Sequence, residues 1–512
     1  MWQLLSDSVV LTFTLITAIV SLIYYYGTKT YDYWKKKGIP YIRPKYPYLG
    51  NTYESAFSFK TILELQQQFY NYFKGNRYGG LFNFQRPMLF IRDPDLVESV
   101  LIKDFTSFYN RNVTGDIKKE PLQAHLLNLE DQQWKSLRAK LSPTFTSGKL
   151  KGMHPQLVEC ADSLVKYISD FADKSEPIEV REVMAKFTTD VIGSCAFGLN
   201  TNALNDPESE FRKMGRRIFK PTFLSRLRAS LRTSRLLLKV ARLFSRASEI
   251  SGFFTKVLKD TMTYRESNNV SRNDFVQILM ELKKNDMEKQ KTGQLGDDHL
   301  IIDDNVIASN AFVFFIAGFE TTASTLSYCL YELSIHEDIQ EEAYKHVVSV
   351  LKKHGGEVSY EAVKEMTFLQ NIFAETLRLH PPAMEIRRVA TKNYVVPGTK
   401  LLLPKDSLVL IPIYSLHHDP EYYPDPEQFK PERFDNDRAN IRKGTYLPFG
   451  DGPRICIGKR FAEMEMQVAL VKLLLKYKFK LNSKTISPLV YNPAAFLLVP
   501  IGGVWVDLER RQ

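Results

Sequence analysis

Residues 8–28 carry no charge, and 11–26 are dominated by Leu, Ile, Val, Phe and Tyr. A run of that length spans the hydrocarbon core of a bilayer as a helix. Asp7 precedes it and Lys29, Lys35, Lys36 and Lys37 follow, so the positive-inside rule puts the rest of the chain on the cytosolic side. A cleaved signal peptide, the rival reading, wants a basic leader and a small-residue cleavage site, and neither is evident. Pro40, Pro44 and Pro47 then preclude a helix and predict a stiff connector. The expected division is an anchor over 1–28, a basic, Pro-rich hinge over 29–50, and one large domain over 51–512.

Within that domain, 81–93 has β-type composition, and 105–129, with Asn110, Gly115 and Pro121, reads as a long irregular loop. Residues 131–138 are helical, which puts Trp134 and Arg138 on one face. Residues 211–248 hold no acidic side chain, while Lys and Arg recur among Phe219, Phe223, Leu227, Leu231, Leu238 and Phe244. Such a basic amphipathic segment suits a membrane surface; nucleic-acid binding and a solvated helix face are the alternatives. The polar stretch 267–300 is expected to be mobile. Asp303 or Asp304 caps a long helix over 305–334. Glu375 and Arg378 share a helical face. Pro381-Pro382 opens an extended segment in which Met384, Ile386 and Arg388 alternate with Ala383, Glu385 and Arg387. His417-His418, at a turn, reads as polar surface. Residues 459–476 return to helical spacing. The fold class is mainly α with a smaller β region.

Composition narrows the partners. Hydrophobic residues make up 44% of the 512, enough for a large core, and no repeat or low-complexity tract divides the chain. The four cysteines, Cys160, Cys195, Cys329 and Cys456, show neither paired nor metal-type spacing, so a reducing compartment is expected. The net charge of +11 admits nucleic acid, acidic membranes or an acidic protein. No nucleic-acid-binding signature accompanies it, so no nucleic-acid partner is expected.

The chemistry concentrates in 449–458, Phe-Gly-Asp-Gly-Pro-Arg-Ile-Cys-Ile-Gly. Glycines let a backbone approach a flat ligand closely, and Pro453 stiffens the turn. Loop amides aimed at Cys456, and the positive end of the following helix, favour a thiolate. Arg454 adds a fixed cation. Upstream, Ala317-Gly318-Phe319-Glu320-Thr321-Thr322 places a glycine inside a helix at a cost of ~1 kcal/mol, which calls for a compensating role. Gly318 permits close approach of another group, and the Thr321 hydroxyl can bond within an opened turn.

Phe449, Gly452, Arg454, Cys456 and Gly458 fill every fixed position of Phe-x-x-Gly-x-Arg-x-Cys-x-Gly, and the chain resembles the cytochromes P-450. Trp134-x-x-x-Arg138, the Ala317–Thr322 run, Glu375-x-x-Arg378 and Pro431-Glu432-Arg433-Phe434 match further family motifs in the right order. Residues 141–150 and 187–198 look like the arthropod microsomal branch, best known for metabolising plant toxins and insecticides. The resemblance implies haem b with Cys456 as axial thiolate and Phe449, Gly452, Ala317 and Gly318 beside the cofactor. It implies O2 as co-substrate and propionates held by Trp134, Arg138, Arg388 and Arg454. Glu320 and Thr321 would deliver protons, and Glu375, Arg378 and Arg433 would form a structural network. Phe108, Ala383, Met384 and Phe496 would line a pocket for an apolar small molecule.

The same resemblance implies an NADPH-dependent flavoprotein reductase docking on Lys135, Lys140, Arg442, Lys443, Lys459 and Arg460. A cytochrome b-type donor is a further candidate, and the lipid bilayer of the endoplasmic reticulum is the expected location. No Gly-x-Gly-x-x-Gly fingerprint puts a nicotinamide site in this chain. A hydroxylase of an endogenous hormone or fatty acid is the alternative within monooxygenases. A haem-thiolate isomerase and a non-catalytic haem sensor are the alternatives outside them.

Overall fold

A computed structural model describes residues 2–111, 121–219, 247–292, 300–436, 439–495 and 497–511. Helix α1 (Trp2–Thr28) projects its apolar side chains from Val9 onward into solvent, and Val9–Thr28 has a mean hydropathy of 2.0 with nothing covering it. The 29–50 segment is not a free hinge. Trp34 is buried and its Nε1 donates to Leu81 O at 2.9 Å, the Tyr31 hydroxyl donates to Tyr46 O, and Ile42 N donates to Gly80 O. Large aromatics at 31 and 34 find the sheet and pull the connector into the domain.

That sheet begins with the hairpin β1 (Tyr78–Asn83) and β2 (Arg86–Ile91), preceded by α2 (Ile62–Tyr72), whose start is closed by a Thr61/Glu64 capping box. Among the described residues, the longer helices that follow are α3 (Asp131–Leu141), α4 (Ser147–Asp173), α5 (Val180–Ile192), α6 (Glu210–Phe219), α7 (Ala247–Asn268) and α8 (Phe275–Lys291). Helix α8 overturns the expectation of mobility over 275–291, while 293–299 lie outside the described residues. Asp274 caps it, and Phe275, Val276, Ile278 and Leu279 bury one face, a stripe masked in the sequence by its many lysines and glutamates. The basic segment 211–248 lies mostly outside the described residues; its first part forms α6.

Helix α9 (Asp304–Ile335) is the axis of the domain. The Asp303 side chain caps it at Val306 N, and 72% of its most apolar window is buried, so it is a core helix rather than a second span. After α10 (Glu337–Lys353) and α11 (Thr367–Leu379) come β3 (Glu385–Val389) and β4 (Leu408–Pro412), which complete a four-stranded sheet in the order β1-β2-β4-β3. The pairing of β2 with β4 is parallel and the other two are antiparallel. Helix α12 (Lys459–Leu474) follows the Cys456 loop. Strands β5 (Tyr477–Leu481) and β6 (Trp505–Arg510) pair antiparallel, and β6 also pairs with Ile178–Glu179. One apolar core joins α4, α5, α9, α10, α11 and α12; a second lies between the sheet and α2. The chain is mainly α with a smaller β region.

Candidate active site

The Cys456 loop is tied at both ends. Cys456 N donates to Phe449 O at 2.9 Å and Gly450 N to Leu447 O at 2.9 Å. Gly452 has φ +68°, and a Cβ there would lie 1.9 Å from Leu101 O, so no other residue fits. Leu447 N donates to His417 Nε2 at 2.9 Å, while His417 Nδ1 faces Arg378 O at 3.2 Å. The His417–His418 pair is therefore not polar surface: His417 has no exposed area, and the short helix Ile413–His417 carries it beneath the loop. Burial, and Arg378 beside it, push His417 down to about 3, which leaves a neutral ring able to accept from Leu447.

Arg378 and Glu375 meet fork to fork at 2.7 and 2.8 Å with no exposure. Glu375 also accepts from Arg433 Nε at 3.2 Å and Lys430 N at 3.0 Å, and Arg378 donates to His417 O at 2.9 Å. The carboxylate thus has two guanidinium partners and an amide, the satisfaction that a buried charge needs. Glu375, Arg378 and Arg433 are brought together, and His417 extends their network to the Cys456 loop.

Four arginines gather on the other side of that loop. Arg454 donates to Tyr109 O and, at 2.8 Å, to Leu129 O, with its guanidinium 4.6 Å from the centre of the Trp134 ring. Arg388 is buried on β3, and Arg138 stands one helical turn from Trp134 on α3. The fourth, Arg111, escaped the sequence reading; it donates to Arg454 O at 3.1 Å. Burial pushes all four guanidiniums below their usual range, Arg111 acts against both Arg388 and Arg454, and Arg111 and Arg138 act on Cys456. Among the described residues none of the four is in an ion pair with a carboxylate, and Nε of Arg111, Arg388 and Arg454 is buried without a partner. Four cations, Arg388 and Arg454 buried and Arg111 and Arg138 half-buried, without a paired carboxylate fit a ligand carrying several negative charges. The two propionates of the haem that the resemblance implies would carry such charge.

The thiol and the long helix fit the same group. Cys456 is exposed although burial by surrounding protein pushes its thiol up, offset by the Gly458 amide, Arg111 and Arg138. On α9, Ala317 is exposed and Thr321 half-buried within an otherwise buried helix, one turn apart on one face. Gly318 points elsewhere: a Cβ there would lie 2.6 Å from Ile192 Cδ1, so its missing side chain admits α5. The Thr321 hydroxyl donates to Ala317 O inside a regular helix, not an opened turn. Glu320 is buried on a different face and paired with Arg181 of α5; burial raises its carboxyl, and Arg181 and Arg212 offset part of that.

Among the expected pocket residues, Met384 is buried and packs with Tyr328 and Leu498, while Ala383 is exposed just ahead of β3. Phe108 lines a small apolar cavity at the sheet with Leu89, Tyr394 and Val409. It has no exposure, stands edge-on to Tyr394 at 4.7 Å and belongs to the sheet core, because Asn110 O accepts from Val389 N and draws the loop onto β3. Phe496 lies outside the described residues. Glu385 is paired with Arg387 and accepts from Gln66. On the basic face, Lys135, Lys443 and Arg460 are exposed, Lys459 is half-buried, and Arg442 reaches Asp95; Lys140 is occupied by Asp286 and Leu300 O.

Comparison with known proteins agrees with this geometry. Residues 43–505 match the family described as Cytochrome P450. The protein named "Probable cytochrome P450 6a14" of Drosophila melanogaster is 39% identical, covering 98% of this chain and 99% of its own. "Cytochrome P450 6a2" of the same organism is 37% identical over 97% of this chain and 99% of its own.

Proposed function

Since the chain belongs to the cytochrome P450 family and is a haem-thiolate monooxygenase with O2 as co-substrate, we propose that its substrates are apolar foreign molecules. Plant toxins and insecticides are the expected examples, met at the endoplasmic reticulum membrane with the catalytic domain on the cytosolic side. When bound, haem supplies reductive activation of dioxygen, so that one oxygen atom enters the substrate and the other leaves as water. Cys456, on its glycine-bounded loop, would bind the haem iron as a thiolate, and the metal's charge would offset the burial that otherwise favours the thiol. Arg111, Arg138, Arg388 and Arg454 hold the propionates, with Trp134 supporting Arg454. Thr321 would position a proton donor at the exposed face of α9, and Glu320 would relay protons from the side of α9 that faces Arg181 of α5.

The observation that carries the cofactor assignment is the cluster of unpaired buried arginines around Cys456. The resemblance of 141–150 and 187–198 to the arthropod microsomal branch supports the substrate class, and the uncovered apolar face of α1 supports the membrane location. Members of the family draw electrons from an NADPH-dependent reductase; Lys135, Lys443 and Arg460 offer it a basic docking face, and a cytochrome b-type donor fits the same charge. Reconstitution with that reductase and a mixed panel of apolar toxins, steroids and fatty acids tests the reading. Oxygenated toxins with matching NADPH consumption support it. Exclusive turnover of steroids or fatty acids moves the protein to hormone or lipid hydroxylation. Product without NADPH consumption indicates an isomerase, and neither indicates a sensor.

A further inference from the structure

His380 lies between α11 and β3, where the network helix hands over to the strand that begins beside Met384. Both of its ring nitrogens are engaged. Nε2 stands 2.7 Å from Glu332 Oε1 on α9, and Nδ1 stands 2.9 Å from the Tyr491 hydroxyl. Tyr328, one turn before Glu332, stacks on the imidazole at 4.6 Å with planes 20° apart and donates its hydroxyl to Leu498 O at 2.7 Å.

Tyr491 and Leu498 belong to opposite arms of one C-terminal hairpin. Asn492 N donates to Val499 O at 2.8 Å and Ile501 N to Val490 O at 2.7 Å. Tyr331 adds a tie from α9 to Ser487 at 3.0 Å, just ahead of the hairpin. Three segments distant in sequence therefore converge on one imidazole. Tyr328, Met384 and Leu498 form the apolar cluster above it, with Tyr491 packed alongside. Burial keeps the Tyr491 phenol protonated, so the hydroxyl is available as a donor to Nδ1. A buried carboxylate–imidazole–hydroxyl chain has few alternative geometries, since breaking either link strands a buried polar group.

We propose that His380 is a positioning residue of the substrate pocket: by joining Glu332 to Tyr491 it fixes the C-terminal hairpin against α9 and sets where Leu498 and Met384 stand. The inference rests on the monooxygenase reading above for the identity of the pocket. It assigns His380, Glu332 and Tyr491 no part in oxygen chemistry. Their effect is on which apolar molecules fit and in what orientation, as expected of a wall whose register depends on buried hydrogen bonds.

The test uses the full-length haem-loaded protein with two nitrogen ligands of the iron, imidazole and the bulkier 4-phenylimidazole, titrated by the shift of the Soret band. Tyr491→Phe removes one hydroxyl and keeps the ring. Its imidazole affinity is expected within about twofold of the parent, while 4-phenylimidazole binding weakens about fivefold or more, because only the larger probe senses the wall. Amide hydrogen exchange at Asn492 and Ile501 is expected to accelerate by about tenfold, with α9 and α12 unchanged. Glu332→Gln, made in the parent, keeps an acceptor for Nε2–H and is expected to retain parental selectivity between the two probes. Equal changes for both probes, unchanged hairpin exchange, or acceleration throughout the fold would each overturn the proposal. Absence of any Soret shift with imidazole would instead count against the haem site itself.

Discussion

Asn110 and Asp131 exchange two hydrogen bonds of 3.0 Å: the Asn110 amide donates to Asp131 Oδ1, and Asp131 N donates to Asn110 Oδ1. Asn110 O also accepts from Val389 N at 2.9 Å. Asn110 thus joins the loop bearing Arg111 to the helix bearing Trp134 and Arg138 through its side chain, and to the strand bearing Arg388 through its main-chain carbonyl. Asp131 takes φ +51° to make this contact, a conformation that the pair of bonds must hold in place. Asn110→Ala is expected to loosen the Arg111 loop from the helix bearing Arg138, while the main-chain bond to Val389 stays. Haem transfer to excess apomyoglobin should speed up by about tenfold, in line with two lost side-chain bonds, one of them to a carboxylate.

The arginine cluster predicts opposite signs for the two forms of the protein. Arg111→Met removes a buried cation that repels Arg388 and Arg454, so the haem-free protein should become more resistant to urea. With haem bound, the same change leaves propionate charge uncompensated, and the midpoint should fall. Urea titrations of both forms, followed by far-ultraviolet circular dichroism, check the crossing. A shift in the same direction for both would mean that Arg111 is not paired with the cofactor.

His417 gives a pH dependence with a defined sign. Its folded value is held near about 3, against an ordinary value of 6.5, so between these limits the unfolded chain binds the extra proton. The stabilisation is fully present above pH 6.5 and is lost as pH falls towards 3. His417→Asn should lower stability at pH 7.5, because the Leu447 tie is weakened, yet make the loss on acidification shallower. The slope below pH 6.5 should drop by up to about 1.4 kcal/mol per pH unit, one proton's worth. Buried His125, His154 and His418 are depressed too and retain the rest of the acid sensitivity.

These positions mark the limit of sequence reading. The haem loop, the Glu375–Arg378 pair, the long capped helix and the alternation along β3 are local patterns whose spacing encodes their geometry. Arg111, His417 and Arg181 act through partners tens to hundreds of residues away, and nothing in their neighbours marks them. The packing of Phe108 against Tyr394 is hidden for the same reason: it depends on a pairing of Asn110 with Val389 that no periodicity reveals. Gly318 was read correctly as a point of close approach, but its neighbour is Ile192 of α5.

Thr321→Ala should leave haem content and reductase binding unchanged, since only the bond to Ala317 O is lost. Product per NADPH should fall several-fold while hydrogen peroxide rises, because O–O cleavage needs a proton delivered by a positioned group and its absence lets peroxide escape. Parallel assays of NADPH, product and peroxide decide it, and unchanged coupling would make Thr321 a packing residue only.

The ferrous–carbon monoxide difference spectrum of the parent beside Cys456→Ser tests thiolate ligation most directly. The parent is expected to show the long-wavelength Soret band of a thiolate-ligated carbonyl. The serine variant should lose it while keeping the fold around the buried Glu375–Arg378 pair. A parent without that band, or a variant that retains it, would contradict the assignment of Cys456 as the axial ligand.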